Sequence, residues 1–360
     1  MNDWRPDLPR RAEVLQRMRD EGRHIAAVLP FHVPHALLRA CGFHPMEIWG
    51  PAHVTSIRDD EHFQEYACSI VRNATQFLKT DLSGQVDVVL IPHTCDSLQG
   101  MASVLQGFAC TAPVLTLYLP RGRRTADYDY AVAELTKLKE HLCAISGANS
   151  SEADLHRAMG LEDKVMAACR EVMENRRLIE VSDRVLFSVL RAREYLPPED
   201  VLSLIECLPR CDVPDERPGI FISGIVPEPM TMFDLLNDNG VLVVGDDLAC
   251  CSRRIYQPFG DVDPMRRLAN QMLSMAPEPT ISPAVAERNA HLMGQLKATD
   301  ARGLLIYDVK FCEPEAFYVP LLEKAVRAAG LPCLHLEVEL EEHVPDQIQT
   351  RIAAFLEVIR

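Results

Sequence analysis

The sequence predicts an α/β protein: two doubly wound, parallel-sheet, Rossmann-like halves with a helical insertion between them. Short uninterrupted apolar runs such as VDVVLIP and VLVVGDD read as strands buried on both faces, which parallel sheets require. They alternate with helix-period segments closed by Gly or Pro, and alternation of this kind implies right-handed βαβ crossovers. The alternation then stops for about eighty residues and resumes. These features divide the chain into an N-terminal α/β domain (1–127), a helical linker (128–214) and a C-terminal α/β domain (215–360).

The elements follow in order. Residues 9–22 form an amphipathic lead-in helix, and HIAAVLP (24–30) is the first strand. HALLRACG (35–42) is a helix stopped at Gly42, and MEIWG is a strand ending at Gly50. The stretch 61–84 reads as a helix with Cys68 in its first half. VDVVLIP from Val86, the helix SLQGMASVLQGF and the strand APVLTLYLP complete the first half. From Tyr128 to Ile205 the periodicities are helical, and Ser151 with Asp154 resembles a capping box. In the second half, RPGIFISG and VLVVGDD are strands flanking a helix stopped at Gly240, and a helical stretch covers 262–297. A strand at 303–309, a helix ending at Gly330, the strand LPCLHLEVEL and the helix DQIQTRIAAFLEVIR close the chain.

Composition narrows the function. The chain has 360 residues, long enough for more than one core. Its 37 basic and 52 acidic residues give a net charge of −15, which argues against nucleic-acid or anionic-membrane partners. RGRR (121–124) is the densest basic run and reads as a solvated loop. The charged N-terminus lacks a signal-peptide core and no 18-residue apolar run occurs, so a cytoplasmic protein is expected. Its twelve cysteines are then expected as thiols. They form no CxxC pair; Cys207 and Cys211 flank LPR at a helix-to-loop junction and read as structural.

Ligands of doubly wound folds bind beyond the carboxyl ends of the strands. Cys95, in IPHTCDSLQG, lies there, and so do Cys312 in YDVKFCEPE and Cys250 and Cys251 in VVGDDLACCSRR. Cys68 lies on the helix before the Cys95 strand. If the halves face each other, three or four such thiolates could hold an iron–sulfur cluster, helped by helix N-termini. Free cysteine also packs as a small hydrophobe, the reading for Cys41, Cys110, Cys143, Cys169 and Cys333, and position alone leaves both readings open for Cys95 and Cys312. His93, Asp96, Ser97 and Gln99 flank the Cys95 loop, where they could bond sulfur or substrate; Asp96 or Ser97 could equally cap the helix. Asp246 and Asp247 could cap or bind.

Several segments together resemble the 2-hydroxyacyl-CoA dehydratase and benzoyl-CoA reductase family, in its smaller, beta-like or C-type subunit. They are PFHVPHALLRACGFHPMEIWG, YACSIVRNATQFL, VDVVLIPHTCDSLQG, DLLNDNGVLVVGDDLACCSRR and IYDVKFCEPEAFYVPLLEKAVRAAGLPCLHLEVEL, in the family's order. The resemblance implies a [4Fe–4S] cluster on Cys68, Cys95 and Cys312, with Cys250 and Cys251 as extra-ligand or neighbouring candidates. It also implies a larger homologous subunit, a separate ATP-hydrolysing activator and an acyl-CoA substrate. Such chemistry needs very low-potential electrons, and iron–sulfur clusters reach roughly −700 mV. No P-loop is present, so ATP hydrolysis belongs to the activator. One departure is Ala36, which stands where relatives more usually carry the glutamate of P-x-E.

Thirty of the 37 basic residues are arginine, which suggests a high-GC genome and tilts the expectation to ring reduction of the benzoyl-CoA reductase type. Radical dehydration by a 2-hydroxyacyl-CoA dehydratase is the alternative. A homodimer sharing a double-cubane [8Fe–9S] cluster would use the same three cysteines. Outside redox chemistry, a two-domain binding protein whose cysteines only pack has the same α/β pattern.

Overall fold

A computed structural model of the chain describes residues 4–29, 31–49, 62–260, 263–340 and 343–359. The expected strand ends at Pro30 and Gly50, the start of the 61–84 helix and the last residue of the final helix lie outside these.

The N-terminal half contains α1 (Arg11–Asp20), β1 (His24–Val28), α2 (His35–Ala40), β2 (Phe43–Glu47), α3 (Ser69–Lys79), β3 (Val88–Pro92), α4 (Asp96–Val104) and β4 (Val114–Leu117). Four helices follow without an intervening strand: α5 (Thr125–Ser146), α6 (Glu152–Glu174), α7 (Asp183–Arg191) and α8 (Pro198–Glu206). The C-terminal half contains β5 (Gly219–Gly224), α9 (Thr231–Asp238), β6 (Leu242–Leu248), α10 (Pro264–Leu273), α11 (Val285–Ala298), β7 (Leu304–Val309), α12 (Glu313–Ala328), β8 (Cys333–Val338) and α13 (Asp346–Ile359).

Each half holds a four-stranded, all-parallel sheet, in the orders β2-β1-β3-β4 and β6-β5-β7-β8. The two orders are the same pattern repeated, as the expected two-half architecture requires. In each sheet the direction of winding reverses between the first and third strands, β1/β3 and β5/β7, which creates a switch point beyond their carboxyl ends. Strands β1, β3, β5, β6 and β7 are almost wholly buried, in keeping with their apolar runs.

Several boundaries differ from expectation. The second strand covers Phe43–Glu47 and not MEIWG, because His24 pairs with Phe43 and the register continues through Pro45. Proline fits there because β2 is an edge strand. Cys68 lies before α3 and not in its first half: its ψ of 147° is extended, so the helix starts at Ser69. The SLQGMASVLQGF segment leaves α-geometry after Val104 and ends in a π-helical turn, Leu105–Ala109. The 262–297 stretch divides into α10 and α11, with a short 3₁₀ turn (Pro279–Ile281) and Ser282 at φ 53° between them. The ionisable-rich RGRR segment is exposed at its three arginines, as a solvated loop should be.

The halves share cores. One buried cluster runs from Val14 and Trp49 through Phe187 to Leu248, Tyr307 and Phe355. A second joins Leu37, Leu90, Leu135 and Met159 to Leu268 and Met272 of α10, so a helix from the C-terminal half packs on the N-terminal one. No described helix is long and apolar enough to cross a membrane.

Candidate functional site

Three of the expected cysteines open helices. Cys68 is the N-cap of α3, Cys95 of α4 and Cys312 of α12. The N-cap side chain faces the helix's first N–H groups, which have no partner inside the helix. None of the three sulfurs makes a cap hydrogen bond, but each lies near the first N–H groups of its helix. The N–H groups of Val71 and Ile70 act to lower the pKa of Cys68, those of Leu98 and Ser97 that of Cys95, and that of Glu315 that of Cys312. Helix N-termini favour anions, so each of these N–H groups offsets part of the cost of a buried thiolate.

Cys68 raises the pKa of both Cys95 and Cys312, although the residues come from both halves of the chain. Burial pushes the Cys95 thiol up to about 12, against the N–H groups that donate to it. Burial likewise raises Cys68, with the Val71 N–H, the Ser97 hydroxyl and the Arg72 guanidinium opposing the rise. Cys312 is raised well above the usual thiol value, by burial and then by the neighbouring Glu315. Without a bound cation these thiols are neutral, and a metal group would displace their protons.

Among the described residues, no group of three or more His, Cys, Asp or Glu is spaced to hold a single metal ion. A cubane cluster binds each thiolate to a different iron, so it needs ligands set wider apart than one ion does. Next to Cys68 and Cys95 in sequence, Ser69 Oγ and Thr94 Oγ1 are buried without a partner among the described residues. Three anion-stabilising cysteine caps with unused donors next to them fit a multi-iron group.

Of the four polar residues flanking Cys95, Ser97 reaches a sulfur, that of Cys68. His93 instead sets its ring against Tyr118, with centroids 4.5 Å apart. Asp96 is exposed, and the backbone N–H of Gln99 donates to the Cys95 carbonyl. Neither Asp96 nor Ser97 caps α4, because Cys95 occupies that position. Four large apolar side chains near Cys68 and Cys312 in sequence, Tyr66, Phe311, Phe317 and Leu321, are exposed.

Cys250 and Cys251 belong to a different group. Their sulfurs lie 3.4 Å apart, and the charges around them are those of Asp246 and Arg191. Asp246 organises this loop: it accepts from the N–H groups of Leu248 and Ser252 and from the Ser252 hydroxyl. Burial lifts its pKa to about 6 all the same. Asp247 accepts from Arg253 and Arg288, which hold its pKa low against the effect of burial. Arg253, fully buried, also bonds Glu278, Glu315 and the Gly224 carbonyl. Glu315 is the residue whose N–H meets Cys312, so this network reaches the first turn of α12. Sequence reading passes over Arg253, Arg254 and Glu315, since charged residues are ordinarily exposed. The one available signal is a pair of arginines directly after a strand end.

The fold and site together define a two-sheet α/β protein with three helix-capping cysteines gathered from both halves. The chain belongs to the family described as "2-hydroxyglutaryl-CoA dehydratase, D-component", whose model matches residues 30–359. Within it the chain is similar to the smaller subunits, and it is an enzyme subunit. It is 24% identical to the lactoyl-CoA dehydratase subunit beta of Anaerotignum propionicum, covering 94% of this chain and 93% of that one. It is 26% identical to the (R)-2-hydroxyglutaryl-CoA dehydratase subunit beta of Acidaminococcus fermentans, over 96% of this chain and 94% of that one. Identity to the C-type subunit of the benzoyl-CoA reductase of Thauera aromatica is 21%, over 95% and 92%.

Proposed function

We propose that Cys68, Cys95 and Cys312 hold a [4Fe–4S] cluster and that the chain is the smaller, iron–sulfur subunit of an acyl-CoA enzyme. The observation that carries this reading is the convergence of three cysteine N-caps, from α3, α4 and α12, on one electrostatically coupled group. Bound there, the cluster would supply single electrons at low potential to a CoA thioester. The chain's own residues do the rest. Backbone N–H groups and the Ser97 hydroxyl hold negative charge on sulfur, and Ser69 and Thr94 have hydroxyl donors to spare. Such donors raise a cluster's potential, and burial of the sulfurs lowers it.

The exposed Tyr66, Phe311, Phe317 and Leu321 support a face for a larger homologous subunit. Electrons would come from a separate ATP-hydrolysing activator in an anaerobic cytoplasm. For the reaction, arginine-rich composition favours ring reduction of a benzoyl-CoA type. Identities of 24% and 26% to two dehydratase beta subunits, against 21% to the reductase subunit, favour dehydration of a 2-hydroxyacyl-CoA. The second observation compares whole chains and takes precedence, so dehydration is the activity to assay first.

The test is iron and acid-labile sulfide per chain after strictly anaerobic purification, with EPR of the reduced protein. About four of each per chain, lost in Cys95→Ser, Cys68→Ser and Cys312→Ser but retained in Cys333→Ser, is the expected result. A wild-type chain that stays iron-free after reconstitution overturns the reading and leaves a binding protein. An excess of sulfide over iron, about nine to eight per homodimer in place of equal amounts, would move it to the double-cubane type.

A further inference from the structure

Beyond the C-terminal end of β1, the chain closes over a cavity of about 40 Å³ whose wall includes His32, Arg193, Arg254, Tyr256 and Gln271. His32 is 2% exposed, and neither of its ring nitrogens has a partner among the described residues. Its φ is 55°, a conformation that residues with side chains adopt at a cost and that recurs where a site is built. A buried imidazole with both nitrogens unused implies an occupant, because unsatisfied buried polar groups are rare and costly.

The charge balance says what sort of occupant. Arg193 is part-buried, and its guanidinium meets Met166 Sδ at 3.3 Å, with no carboxylate on it among the described residues. Arg254 lies close enough to disfavour its charge, and Arg254 is itself matched by Glu47. The one carboxylate on the wall, Glu162, is paired with Arg39. Glu47 also acts on Arg193, but its hydrogen bonds go to His35, Trp49 and Arg254. Among the described residues one guanidinium therefore has no carboxylate of its own beside an orphaned imidazole, in a protein whose overall charge is −15. Water could satisfy His32, but an anion would serve both His32 and Arg193. Gln271 Oε1 is also unpartnered, which adds an acceptor for a hydroxyl. At roughly 10–15 Å³ per water-sized occupant, the volume suits about three heavy atoms.

We propose that this cavity is a binding site for a small planar oxyanion of the carboxylate type, the size of formate or hydrogencarbonate. The Arg193 guanidinium would anchor it and the His32 N–H would donate to it. The site stands on the fold and the charges alone, independently of any cluster.

Calorimetric titration of the full chain, at constant ionic strength, tests it with sodium formate, sodium hydrogencarbonate and sodium chloride. Wild type should bind at least one of the two oxyanions saturably at one per chain, and chloride should not. Binding of both supports a site for the carboxylate plane; hydrogencarbonate alone supports the same site with Gln271 taking the hydroxyl. Arg193→Met, which keeps an apolar contact with Met166, should weaken binding at least about thirtyfold. His32→Asn, a residue tolerant of positive φ, should weaken it several-fold with the circular dichroism unchanged, and decides the matter if Arg193→Met fails to fold. Absence of saturable binding, equal binding of chloride, or oxyanion binding untouched by the folded variants would each overturn the proposal. A crystal soaked in formate that shows only waters in the cavity would do the same.

Discussion

Asp247, with its side chain buried, accepts from Arg253 and Arg288 and from the Ser223 hydroxyl. Removing one member of a buried ionic set costs about 3–5 kcal/mol, because the partners keep their charge and lose its complement. Asp247→Asn keeps the shape but not the charge, and should lower stability by that order in urea unfolding. An effect under about 1 kcal/mol would mean that Glu278 and Glu315 already compensate both arginines. His44 tests a different property, the response to acid. It is buried, and burial with the nearby Arg39 pushes its pKa from 6.5 down to about 4, although its Nε2 meets the Tyr195 carbonyl at 2.9 Å. Above pH 6.5 the ring is neutral in both folded and unfolded chains. As the pH falls towards 4 the unfolded chain takes up a proton that the fold resists, so stability is lost across that window. His44→Gln should retain on the order of 2–3 kcal/mol of the stability that wild type loses between pH 7.5 and 4.5. Urea midpoints at the two pH values measure the difference; identical losses would remove His44 as a contributor.

At the scale of elements, the joint between β5 and β7 is the closest. Gly224 ends β5 with φ 153°, and a Cβ there would sit 2.0 Å from the Tyr307 carbonyl oxygen. Gly240, at φ 74°, has open space around its own position. Both alanine variants meet backbone strain, but Gly224→Ala must also push two central strands apart. It should therefore cost at least about 2 kcal/mol more than Gly240→Ala in thermal unfolding. Equal costs would show that the sheet relaxes freely at its switch point. Which of these features the sequence reveals follows from the physics of each. Continuous apolar strands and glycine helix stops are local signals, and the parallel α/β architecture is legible from them. Cys95 and Cys312 fall beyond strand ends by the same logic. The cap position of Cys68 is hidden, since apolar spacing continues upstream of α3 while the backbone has already left the helix. Pro45 and Gly42 conceal β2, whose edge position only pairing reveals. The orphaned His32 and the buried Glu47, Arg253 and Arg254 depend on burial and partners from distant segments, which no local pattern encodes.

For the whole molecule, the shared cores decide how it unfolds. The chain is long enough for two domains, and two domains often melt separately. Here α10 lies between β6 and β7 in sequence, yet it buries Leu268 and Met272 against Leu135 and Met159 of the helical layer and Leu37 of the N-terminal half. Ion pairs cross as well: Arg254, after β6, meets Glu47 at the end of β2, and Arg72 of α3 meets Glu339, after β8. Separating the halves would expose the apolar faces that α10 covers and strand buried charges on both sides. Unfolding of one half should therefore carry the other with it in a single transition. The protein provides its own probe, because its two tryptophans, Trp4 and Trp49, both lie in the N-terminal half. Far-UV circular dichroism reports helices from the entire chain. The prediction is that urea curves followed by tryptophan fluorescence and by circular dichroism coincide in midpoint and slope for the reduced, metal-free chain. A fluorescence transition that precedes the loss of most helix would show that the N-terminal half opens alone and that the packing of α10 is weaker than its burial implies.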